Sequence, residues 1–141
     1  MRIRKLFVVI FALFLTSCTT LPKPERLPLQ SQKVRLFKVE NVNEVSLLTV
    51  QFEDFQWRWV QTDPLGSPIT RVILTKKGWQ NDGFIMPNMQ AKMLFSGLAV
   101  ALNSQQPPFK LSSQWDITSN SPHFEIRTPD GILWKVDELE Q

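Results

Sequence analysis

A single cysteine, a single histidine and no tyrosine stand among the 141 residues. One cysteine cannot close an intramolecular disulfide, and no His/Cys spacing suited to a metal site is present. The lone histidine, His123, falls in an alternating segment, where a structural or exposed imidazole is the ordinary reading. Glycine is scarce, five residues in all, and none belongs to a Gly-rich phosphate loop. Ser96 lies in Phe95-Ser96-Gly97 without the Gly-x-Ser-x-Gly elbow of the hydrolases. Glu53 and Asp54 are adjacent, so on a strand they would point to opposite faces and could not work as a pair. These absences leave no catalytic constellation. The expectation is a non-enzyme with no catalytic residue, metal or cofactor.

Long apolar runs are also missing. The longest, Leu6 to Leu15, holds about ten residues, half of the ~20 that a spanning helix needs. Arg2, Arg4 and Lys5 precede it and Thr16-Ser17-Cys18 follow. A basic start, a short apolar run and small residues make a secretory leader. Leu15-Thr16-Ser17-Cys18 resembles a lipobox, the processing site of bacterial lipoproteins. The resemblance implies cleavage before Cys18, a diacylglycerol on its thiol and an acyl group on the new amine. An ordinary secreted protein with a chance cysteine is the plainer alternative. Thr19 follows the cysteine where an aspartate would imply retention in the inner membrane. The implied location is therefore the periplasmic face of the outer membrane, with the bilayer as a partner through the anchor.

The formal charge of +3 comes from 16 basic and 13 acidic residues, and the leader holds three of the basic ones. Thirteen of each sign remain from Cys18 onward. That balance argues against a nucleic-acid surface, which needs clustered Lys and Arg. Residues 18–141 are enough for one domain. Residues 19–32 read TTLPKPERLPLQSQ, with three prolines, and are expected to form a semi-extended tether that lets the domain stand off the membrane.

The folded part is expected over residues 33–141. Short β-rich runs predict strands over 34–39, 45–52, 55–61, 69–75 and, more weakly, 79–85. In the third, Phe55, Trp57 and Trp59 share one face while Gln56, Arg58 and Val60 share the other. Asp63-Pro64-Leu65-Gly66-Ser67-Pro68 is a turn. Pro87-Asn88 opens a helix over about 88–102, with Asn88 as N-cap and a stripe of Met89, Met93, Leu94, Leu98, Ala101 and Leu102. Further strands follow over 115–118, 123–128 and 132–136, the last two joined by Pro129-Asp130-Gly131. The fold class is α+β, mostly β: a curved antiparallel sheet with one covering helix.

Two groups of residues resemble a known family. The order of lipobox, proline-rich tether, strands, Pro64-Leu65-Gly66 turn, strands and helix is similar to LolB, the outer-membrane lipoprotein receptor. Asp82-Gly83-Phe84 and Leu94-Phe95-Ser96 resemble stretches in a family of uncharacterised small bacterial lipoproteins with a Lol-like fold, often associated with aryl-polyene lipid clusters. The resemblance implies a truncated half-barrel whose apolar cavity shelters acyl chains. Phe55, Trp57, Trp59, Met93, Leu94 and Leu98 would line that cavity, although plain core is the ordinary reading of the same residues. Leu65 would protrude and help insert cargo into the membrane, or would be an ordinary loop residue. The implied cargo is an acyl-chain lipid or a lipoprotein, with a periplasmic carrier protein as a further candidate partner. An accessory lipoprotein that packs against another envelope protein is the reading from a different class.

Overall fold

The computed structural model describes residues 21–84 and 88–140. The leader and Cys18 lie outside the described residues, as does the far end of the strand expected over 79–85. Eight antiparallel strands form one open sheet. β1 (Val34–Glu40), β2 (Val45–Phe52), β3 (Trp57–Thr62), β4 (Pro68–Thr75) and β5 (Gly78–Asn81) make a meander. Helix α1 (Met89–Leu102) follows, then a second meander of β6 (Asp116–Asn120), β7 (His123–Arg127) and β8 (Leu133–Leu139). The strand order is β5-β4-β3-β2-β1-β8-β7-β6. The expected α+β, mostly β architecture is therefore the observed one.

The two meanders join where β1 pairs β8, with Val39 opposite Val136. A bidentate ion pair ties the same two strands: Arg35 donates to Glu138 at 2.8 and 2.6 Å, with both side chains 18% exposed. Alternation sets the faces. Phe37, Val39, Leu48, Val50, Trp57, Trp59, Val72 and Leu74 all point to the core side. The opposite face carries Arg58 and Arg71, which converge on Asp82 at 3.1 and 3.5 Å.

Phe55 departs from the expected strand. Glu53 N–H donates to the Gln56 carbonyl at 3.0 Å, so residues 53–56 form the turn and β3 starts at Trp57. Phe55 is left 81% exposed and shares no face with Trp57 and Trp59.

The helix also differs from a one-stripe lid. Asn88 caps it as expected, its side chain accepting from Ala91 N–H at 3.1 Å. Beyond that, Ala91, Met93, Leu94, Phe95, Ser96, Gly97, Leu98, Ala99 and Ala101 are all buried. A helix apolar all round is an interior helix. Chain beyond the sheet encloses it, since the Trp115 indole donates to the Met93 carbonyl at 3.3 Å. Met89 and Gln90 are the exceptions, both exposed in the first turn.

The tether is docked along the domain from Leu21 on. It has no regular secondary structure, as expected. Yet Glu25 N–H donates to the Pro108 carbonyl at 2.7 Å, Gln30 Nε2 donates to Asn103 Oδ1 at 2.7 Å, and Leu27 packs on the core. Backbone and side-chain bonds outweigh the stiffness that prolines lend to a free linker.

Candidate functional site

The aromatic layer beneath α1 is the first candidate site. Core-side residues of β3 bring Trp57 and Trp59 inward, and the helix brings Phe95, Leu94 and Leu98 down onto them. Trp59 stacks on Phe95 with centroids 5.1 Å apart and meets Trp79 edge-on at 5.4 Å. Phe52 meets Trp57 edge-on at 4.9 Å, and Phe109 closes the side by stacking on Trp79 at 6.3 Å. Trp79 is held in turn by its indole N–H, which donates to Ser96 Oγ at 2.9 Å.

Five of the six expected wall residues, Trp57, Trp59, Met93, Leu94 and Leu98, are thus buried in the described core; Phe55 is not among them. Trp57, Trp59, Leu94 and Leu98 pack into one cluster with Phe52 and Phe95, and Met93 is buried outside that cluster. A depression of about 850 Å³, edged by Gln32, Lys33, Pro122 and Glu138, and another of about 370 Å³ beside Asn103 both lie away from these side chains.

Polar groups interrupt this apolar core. Trp59 Nε1, Thr70 Oγ1 and, on β8, Trp134 Nε1 are buried and have no hydrogen-bond partner among the described residues. Leaving such a group unpaired costs about 1–3 kcal/mol. Sequence patterning placed Trp59 on the right face and gave no sign of Thr70, a β-branched residue in a β-branched strand. By contrast, nearby Gln61 satisfies itself by donating to Ser46 Oγ at 2.8 Å.

The second candidate is the β3–β4 turn. Asp63 Oδ1 accepts from the backbone N–H of Leu65 and of Ser67, both at 2.9 Å. Asp63 N–H donates to the Ser67 carbonyl at 2.9 Å. Gly66 leaves the turn at φ 92°, a conformation open to glycine at little cost. Those bonds hold Leu65 outward, 93% exposed. The expected protrusion of this leucine is a feature of the turn.

No protein-family model matches the chain, and no characterised protein or solved structure matches it either.

Proposed function

We propose that the chain is a lipoprotein held through Cys18 at the periplasmic face of the outer membrane, and that it binds or passes on acyl-chain cargo, a lipid or a lipoprotein, without catalysing a reaction. The leader and lipobox support the anchor, and Thr19 supports the outer-membrane location. The observation that carries the cargo reading is the aromatic layer beneath α1. Its walls are apolar and largely aromatic. Two of the unpartnered groups of the core, Trp59 N–H and Thr70 O–H, are donors that an acyl ester carbonyl would satisfy. A chain entering there displaces side chains from the packed layer, because the wall residues already touch one another. Burial of its methylenes, at roughly 25 cal/mol per Å², supplies the drive.

The tight packing favours a second reading from a different class. An accessory lipoprotein needs no cargo space, and a filled core suits a domain that only presents its surface to another envelope protein.

The two readings separate in one experiment. The domain from Leu21 onward is purified from a strain in which it was expressed in the periplasm, and its organic extract is read by mass spectrometry. Titration with a fatty acid, followed by Trp fluorescence, accompanies it. A carrier yields a bound acyl species and a saturable change in Trp emission. An empty extract and a flat titration from a folded domain assign the chain to the accessory class.

A further inference from the structure

The β1–β2 turn repeats the device seen at Leu65. Residues 41–44 are closed by Asn41 N–H donating to the Glu44 carbonyl at 3.1 Å. Asn41 Oδ1 accepts from the backbone N–H of Asn43 and Glu44 at 2.9 and 3.0 Å. That lock presents Val42, which is 98% exposed. Each of the two turns therefore has an Asx residue at its start, a fixed backbone and one bare aliphatic side chain at its tip. Packing within the domain explains neither side chain.

Register puts the two tips side by side. Leu47 lies opposite Thr62 across β2 and β3, so two residues further out Val45 stands level with Pro64. Both turns leave the same end of the sheet to about the same height. Two strand spacings, about 10 Å, separate them. Val45 and Leu47, 44% and 41% exposed, continue the apolar surface down the outer face of β2.

The docked segment points the same way. Gln30 meets Asn103 and Glu25 meets Pro108, so the chain from Gln30 back to Glu25 runs alongside the chain from Asn103 forward to Pro108. The latter leads on to Trp115 and the start of β6. Asp116 at that start pairs Arg127, next to the β7–β8 turn, which lies at the same end as the two tips. Seven residues from Glu25 to Cys18 reach at most about 25 Å. The eight residues of β2 span about 27 Å. An acyl anchor on Cys18 would therefore be separated by at most about 25 Å of chain from the point where Glu25 docks.

We propose that Val42 and Leu65 together seat this end of the sheet on a phospholipid bilayer, as a two-point contact. The inference rests on the lipid-anchor reading above. Two side chains are far too small a patch for a stable protein interface, which needs roughly 800 Å² per partner. For a domain already tethered to the surface a weak insertion suffices, because the tether keeps the tips at high effective concentration near the lipid. Each aliphatic side chain that enters the apolar layer raises the affinity for the surface by about tenfold.

The test uses the acylated full chain in vesicles of phosphatidylethanolamine and phosphatidylglycerol. Cys18 is the only native cysteine, so Val42→Cys, Leu65→Cys and Asp54→Cys each give one labelling position for an environment-sensitive dye. Asp54, in the β2–β3 turn at the opposite end, is the control. The proposal expects dye at 42 and at 65 to shift to the blue and to be quenched by nitroxide-labelled lipid, and dye at 54 to stay aqueous. It also expects Val42→Glu to lower quenching at position 65. A probe at 42 that behaves like the one at 54, while the one at 65 inserts, overturns the two-point contact and leaves the anchor intact. Equal quenching at all three positions overturns the orientation. Dye uptake by Cys18 in the unmutated protein shows a free thiol and removes the anchor reading itself. A blue shift that needs no lipid and grows with protein concentration assigns the tips to a second copy instead.

Discussion

Gly97 faces Ile126 of β7 and the Trp115 indole, and replacing it by alanine measures how full the layer is. A Cβ at this position would lie 2.6 Å from Ile126 Cγ2 and 3.3 Å from Trp115 Cδ1. Carbon atoms in contact prefer about 3.5–4.0 Å, so roughly 1 Å must be made on the Ile126 side. Trp115 blocks a slide in its own direction, and Ile126 is fully buried on β7. Two terms compete. Alanine in place of glycine favours a helix by about 0.8–1 kcal/mol. Overpacking a well-filled core costs about 1–3 kcal/mol. The collision is with a branched side chain held by a strand, so the second term wins. A net loss of up to about 2 kcal/mol follows, or a fall of up to about 8 °C in Tm at roughly 4 °C per kcal/mol for a domain of this size. Urea unfolding of the domain from Leu21 onward, read by Trp fluorescence, gives the same quantity. Gly97→Ala combined with Ile126→Ala should cost less than the two single changes added, since the clash partner is gone. A rise in Tm for Gly97→Ala is incompatible with a filled contact at Ile126. It would mean that the helix lies loosely on the sheet, with room for more than its own side chains.

Other consequences are simpler. Leu65→Glu should change stability by no more than about 0.5 kcal/mol, because the side chain is bare in the folded state, yet it should impair transfer of cargo into liposomes. A large fall in Tm would show Leu65 to be core, and unchanged transfer would remove its insertion role. Glu138→Gln should lower stability by about 1–3 kcal/mol in urea, because Arg35 loses a charged partner on the half-buried side of the sheet. Arg35→Met with Glu138→Leu should recover most of that loss; no recovery would mean the pair also sets the register of β1 on β8.

Much of the sheet was legible because its strands alternate cleanly. Val45 to Phe52 and Ile69 to Thr75 show it, and Asp63-Pro64-Leu65-Gly66 carries its own turn chemistry. Asn88 signalled the helix start for the same local reason. What failed was non-local, or one residue deep. Phe55 continues the period of Trp57 and Trp59, and only the Glu53–Gln56 backbone bond moves it into the turn. The helix read as a stripe because nothing in Met89 to Leu102 tells that Trp115 and Phe109 return to cover it. The docking of residues 21–32 depends on an amide pair, Gln30 with Asn103, that composition cannot reveal. Pairing of β1 with β8 joins segments about a hundred residues apart, and Arg35 and Glu138 look like surface charges until they meet. The site divides the same way. Exposure of Leu65 follows from its turn, whereas cavity wall and filled core need the same side chains.

In the function proposed above, acyl chains on Cys18 hold this domain at a membrane. Intact mass spectrometry of the protein extracted from cell envelopes tests it most directly. The expected species is a chain that begins at Cys18 and carries the added mass of a diacylglyceryl group and one N-linked acyl chain, recovered from the outer-membrane fraction. A chain that retains residues 1–17, or that begins elsewhere with an unmodified Cys18, would contradict it.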